Sequence, residues 1–191
     1  MGWKLTGVVI DKNFENDLAE LFALLELEDF DLEKESTFEN ETLEMLENEN
    51  LSVGFFGKGT YLSTGVNLMT NDKLLKSASS NLTILAFYIN DTTSTYCFDF
   101  YSKGEYLRRK WISYSGKNID STENFGEFLS IEKSEANDTE IIFKLISSLL
   151  DKDFYEIEED EQMFRFVKIM VDTKSISKKQ TKGFWENLFG R

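Results

Sequence analysis

A chain of 191 residues, 41% hydrophobic and 14% aromatic, has enough apolar matter to bury a core, which excludes global disorder. Its net charge of −14 argues against non-specific binding of nucleic acid or anionic membrane by the body of the protein. With no histidine there is no Ser-His-Asp or Cys-His chemistry and no His-based metal site, and one cysteine, Cys97, excludes a disulfide framework and a zinc or iron–sulfur centre.

In chain order, residues 3–10, ending in Val8, Val9 and Ile10, read as a strand. Asn13 caps a helix whose Phe14, Leu18, Leu21, Phe22 and Leu25 share one face at helical spacing. Residues 26–35 read either as a continued helix or as an acidic loop. Ser36 and Glu39 stand at capping-box spacing, and Phe38, Leu43 and Leu46 supply a thin apolar face, so residues 37–48 read as a short surface helix. Residues 51–65 suggest two short strands around a turn containing Gly57 and Gly59, and residues 70–78 one or two helical turns. Three strands follow, at 82–89, 95–101 and 105–114, joined by short polar connections as in an antiparallel meander. Residues 115–137 read as a polar excursion anchored by Phe125 and Phe128. Asn137 or Asp138 then caps a helix with a broad stripe of Ile141, Ile142, Leu145, Ile146, Leu149 and Leu150. Residues 163–171 read as a last strand.

The expected architecture is one α+β domain over residues 1–172. It has a mostly antiparallel sheet of five to six strands, with a central meander and helices packed on one face. Residues 173–191 form a basic linker and a short aromatic segment carrying Phe184, Trp185, Leu188 and Phe189.

No catalytic motif is complete. Gly57-Lys58 is followed by Gly59 rather than Ser or Thr, and Ser52 stands where a phosphate loop needs its first glycine, so this is a hairpin turn. Residues 151–162 resemble a calcium loop only in acidity: Tyr155, Glu156 and Gln162 occupy positions that need a ligand, a glycine and a glutamate. Asp99, between Phe98 and Phe100, and Glu127, beside Phe128, are the carboxylates best placed for a carboxylate-dependent hydrolase or nuclease, metal-assisted or not. The structural alternative for Asp99 is a cross-strand ion pair with Arg108 or Lys110. Arg108, Arg109 and Lys110 beside Tyr106 and Trp111 are open to three uses: stacking on bases, blocking an edge, or pairing internally with the acidic segments. Cys97 reads as a buried, inert thiol.

The charge is unevenly distributed. Residues 11–50 hold 15 acids against Lys12 and Lys34, and residues 151–161 hold seven against Lys152. Residues 174–191 reverse the sign, with Lys174, Lys178, Lys179, Lys182 and Arg191 against Glu186. The first acidic segment is the candidate partner-binding surface, with Glu28, Asp29, Phe30, Asp31, Phe38, Glu41, Glu44 and Glu47 as its contacts. Carboxylates would steer a basic protein and Phe30 or Phe38 would anchor it. In the tail, Phe184, Trp185, Leu188 and Phe189 cluster at helical spacing. That suits docking on a partner, a membrane interface or the domain itself, and makes a peripheral adaptor a further alternative.

In size, acidity, lack of histidine and possession of an acidic amphipathic N-terminal segment, the chain resembles the small acidic immunity proteins of bacterial toxin–immunity systems. The resemblance implies a non-enzymatic inhibitor that neutralises a toxin by binding it. No cofactor and no metal ligand set is expected. The first residues lack an apolar signal segment and no run is long enough to span a bilayer, so the expected location is cytoplasmic. Oligomeric state is left open.

Overall fold

The computed structural model describes residues 2–42, 46–135 and 137–169. Its centre is β1 (Lys4–Ile10), where apolar residues occupy both parities, so both faces of the strand need cover. Leu5 and Val9 enter one core, and Val8 and Ile10 the other. The remaining strands are β2 (Phe30–Thr37), β3 (Asn50–Phe56), β4 (Gly59–Thr64), β5 (Thr83–Asn90), β6 (Thr95–Ser102), β7 (Glu105–Ser115), β8 (Asn118–Gly126) and β9 (Gln162–Lys168). They form one sheet in the order β2-β9-β3-β4-β1-β5-β6-β7-β8, with every neighbouring pair antiparallel. The helices are α1 (Leu18–Leu24), α2 (Phe38–Thr42), α3 (Val66–Met69), α4 (Asp72–Ala78), α5 (Ser130–Ser134) and α6 (Asp138–Leu150).

The protein is therefore α+β around an antiparallel sheet, as its sequence implies, but the sheet has nine strands among the described residues rather than five to six. Two were missed. Of residues 26–35, 26–29 form a turn, as in the loop alternative, but β2 begins at Phe30. Residues 118–126, inside the expected polar excursion, form β8, and a helical turn, α5, follows. The expectation of helices on one face is also corrected. Side chains of α1, α3 and α4, among them Leu21, Phe22, Met69 and Leu75, cover Ile10, Val53 and Ile84 on one face. On the other, Ile142, Leu145, Ile146 and Leu149 of α6, with Phe154 from a 3₁₀ turn, cover Leu5, Val9, Leu85 and Phe87. Three layers follow from strands that are apolar on both sides.

Local sequence explains the junctions. Asn137 caps α6, its Oδ1 accepting from the Thr139 N–H at 2.9 Å, and Asn71 caps α4 through the Leu74 N–H at 3.3 Å. The β3–β4 hairpin turns through Gly57 at φ +55°. A Cβ there would lie 2.2 Å from the Leu150 carbonyl oxygen, the same oxygen that accepts from the Lys58 N–H at 2.8 Å. The glycine lets the hairpin close against the end of α6, which is a packing role. The expected capping box does not form. Ser36 and Thr37 end β2, and it is Thr37 Oγ1 that accepts from Asn40. The expected surface helix at 37–48 is described only as α2, and residues 43–45 lie outside the described residues.

Candidate acidic binding surface

β2 is one edge of the sheet, and β9 lies between it and β3. That insertion brings the two acidic runs of the sequence together. Thr37 pairs with Gln162, so the end of β2 meets the start of β9. The Phe38 N–H donates to the Glu161 carbonyl at 2.8 Å, and the Glu39 N–H to the Glu159 carbonyl at 3.0 Å. The acidic loop at 156–161 is thereby fixed against α2. Glu35, Glu39, Glu156, Glu158, Glu159 and Asp160 are all exposed around this junction.

Cations offset part of this charge. Lys168 lies 3.0 Å from Asp29, Arg165 lies 3.3 Å from Glu33, and Lys152 pairs with Glu161. Glu28, Asp31, Glu35, Glu39, Glu156, Glu158, Glu159 and Asp160 form no ion pair among the described residues. The basic strand β7 does not help, because its cations pair elsewhere. Arg108 binds Glu132, Arg109 binds Asp99, Asp72 and Glu123, and Lys110 binds Asp138. Internal pairing is thus the use of this strand, but with acids outside both acidic runs.

The individual candidates separate cleanly. Glu28, Asp31 and Glu47 are exposed and Asp29 is half-buried. Phe30 and Phe38 are buried and are not available as anchors. Phe30 belongs to the core beneath α1, and Phe38 packs edge-on against Phe56, Tyr61 and Phe154. Glu41 is also corrected: its side chain is 1% exposed, accepts the Ser52 hydroxyl at 2.5 Å and lies 3.5 Å from Arg165. Glu44 lies outside the described residues, as do Phe184, Trp185, Leu188 and Phe189. The acidic loop at 156–161 was missed as part of the surface. Its sign and density were visible, but its neighbour was not. Tyr155, at its edge, is exposed, with its hydroxyl donating to Glu140 at 2.7 Å.

The hydrolytic candidates do not assemble. Asp99 is fully buried, and its carboxylate accepts from the Tyr106 hydroxyl (2.6 Å), Arg109 Nε (2.8 Å), Arg109 Nη2 (2.9 Å) and Trp111 Nε1 (3.1 Å). The partner is Arg109 rather than Arg108 or Lys110, because β6 and β7 shift register between Phe100 and Tyr101. Arg109 also stacks against Tyr106 and Trp111 at 5.0 and 4.9 Å. Asp99 raises the guanidinium pKa by hydrogen bonding, and burial raises that of the Tyr106 hydroxyl, so both keep their protons. With all its neighbours donating to it, Asp99 holds β6 to β7 and has no route to a substrate. Glu127 is exposed, without the apolar surroundings that tune a catalytic carboxylate. Among the described residues, no three Asp, Glu or Cys side chains converge to hold a metal ion. No helix among them is long and apolar enough to cross a membrane.

No protein-family model matches the chain, and no curated protein or solved structure matches it.

Proposed function

We propose that this chain is a protein-binding module, an inhibitor of the immunity-protein type, that uses the acidic surface around β2, α2 and residues 156–161 to bind a basic partner. The observation that carries the reading is the fixed junction of two acidic runs more than 100 residues apart, with six carboxylates around it that form no ion pair among the described residues. Folding like charges together costs stability. Complementary charge on a partner recovers that cost and speeds encounter. Tyr155, and not Phe30 or Phe38, is the aromatic side chain placed to anchor the contact. The one thiol is buried and no disulfide is needed, which suits a partner met in the cytoplasm.

The test is capture of a partner by the wild type and by a variant carrying Glu35→Gln, Glu39→Gln, Glu158→Gln, Glu159→Gln and Asp160→Asn. Capture should be strong at about 0.05 M salt, fall at about 0.5 M as screening shortens, and weaken at least about tenfold in the variant. Capture that ignores both salt and neutralisation refutes the reading.

A further inference from the structure

A cavity of about 320 Å³ opens to solvent at the N-terminal end of α6, lined by Ser94, Tyr96, Tyr114, Gly116, Asn137 and Asp138. Its size lies at the small end of ligand pockets, which run about 300–1,000 Å³. The sheet builds its walls. Tyr96 of β6 pairs with Ile112, and Tyr114 of β7 lies two residues further on, so the two tyrosines are diagonal neighbours on the face that α6 covers. Their rings stand at 65° with centroids 6.2 Å apart and make an aromatic corner. Ser94, in the turn between β5 and β6, holds the corner together, its carbonyl accepting from the Tyr114 N–H at 2.9 Å. It does so at φ +49°, a left-handed conformation that is costly for a residue with a Cβ.

The chemistry of the lining selects the ligand. The Tyr96 hydroxyl donates to Asp91 at 3.0 Å and the Tyr114 hydroxyl to Asp138 at 2.8 Å. Burial and these carboxylates raise both phenol pKa values, so each hydroxyl keeps that proton and offers its oxygen lone pairs as acceptors. Asp138, which also holds Lys110 at 2.6 Å, adds carboxylate acceptors. The Asn137 side-chain oxygen caps α6, which leaves its NH2 group as a donor, and the Ser94 hydroxyl can donate or accept. Charge around the cavity cancels. Asp91 and Asp138 are matched by Lys110 and by Lys117 beside Gly116, and Glu135 pairs with Lys144. In a chain of net charge −14 this is a neutral spot, and a ligand gains nothing there from charge of either sign. An aromatic corner bordered by mixed donors and acceptors fits a molecule with apolar C–H faces edged by hydroxyls.

We propose that this cavity binds one ring of an uncharged sugar. A C–H face of the ring packs on the tyrosine corner, and two adjacent hydroxyls are shared between the Asp138 carboxylate and the Asn137 amide. The lining residues lie outside the acidic surface around β2, α2 and residues 156–161, so the site is separate from the function proposed above.

The experiment uses the full chain with no protein partner, so its outcome is independent of that function. Backbone amide shifts are followed by NMR as the protein is titrated separately with glucose, galactose, mannose, N-acetylglucosamine, inorganic phosphate and acetyl-arginine amide. At least one sugar should give saturable shifts at residues 94–96, 114–116 and 137–138 with a Kd of about 1–10 mM, the range for a ligand of about twelve non-hydrogen atoms. Asp138→Asn, which keeps the side-chain volume, and Tyr114→Leu, which removes one wall, should each weaken that binding about tenfold or more. Amide shifts that match the wild type away from the cavity show that each variant folds. The proposal is overturned by silence from every sugar at about 50 mM. Shifts of the same size from phosphate or the arginine amide, or sugar binding that both folded variants retain, overturn it too.

Discussion

Replacing Glu41 with alanine separates a structural carboxylate from a binding one. In sequence it is one acid among many in an acidic run, but its side chain is 1% exposed and accepts the hydroxyl of Ser52, itself fully buried. The substitution leaves that hydroxyl without its acceptor, at about 1–3 kcal/mol. It also removes one buried methylene, worth about 0.8 kcal/mol. Arg165 keeps Glu33 at 3.3 Å, so no cation is stranded. The expected loss is about 3 kcal/mol, or about 6–12 °C in Tm for a domain of this size. The assay is urea unfolding followed by tryptophan fluorescence. Glu35→Ala, at an exposed position, should unfold within about 0.5 kcal/mol of the wild type. A Glu41→Ala protein as stable as the Glu35→Ala control refutes the reasoning.

Two further outcomes follow from buried groups. Arg108 and Glu132 are each 1% exposed and joined by two hydrogen bonds of 2.8 and 2.7 Å, so Glu132→Gln, which strands the arginine, should cost about 3–5 kcal/mol by urea unfolding. Burial alone pushes the Glu132 carboxyl up, but Arg108 and the Leu129 N–H hold it below its usual range. Its contribution is therefore complete above its unfolded pKa of about 4.3 and is lost as pH falls through the lower folded value. The stability gap between wild type and Glu132→Gln should narrow below about pH 4, and a gap that widens there contradicts the assignment. Burial pushes the Cys97 thiol up to about 12. At about pH 8 only about one molecule in ten thousand then carries thiolate, and iodoacetamide should label the folded protein at least about a hundredfold more slowly than the unfolded chain. Comparable labelling rates would place Cys97 at the surface.

How legible these features were depended on where their cause lay. The Leu145/Ile146/Leu149 stripe of α6 and the strands β5, β6 and β7 carry their periodicity in their own residues, and they fold as read. β2 does not. Phe30 and Leu32 alternate, but a register shift between Leu32 and Lys34 ends the alternation, and charged residues then dominate. Its strand state comes from pairing with β9. β8 is exposed at all nine positions, so no apolar face exists to betray it; hydrogen bonds to β7 make it a strand. Cover on both faces was not read, although in β1 Leu5 and Val9 oppose Val8 and Ile10. Of the surface, its sign was legible and its membership was not. Glu41 looks like its neighbours in sequence and differs only in what Ser52 and Arg165 place around it. The junction with residues 156–161 exists only because β9 enters between β2 and β3.

That insertion also fixes an order of events during synthesis. β2 precedes its neighbour in the sheet, β9, by more than 120 residues of chain. At about 5–20 residues per second, β2 waits about 7–25 s for a strand to pair with. β1, β3, β4 and β5 can meanwhile form a sheet, with the edge of β3 open where β9 will enter. The junction of the two acidic runs is therefore absent from any nascent chain that has not yet exposed β9, and present only once β9 has docked. Anything that recognises this surface reads the completed fold.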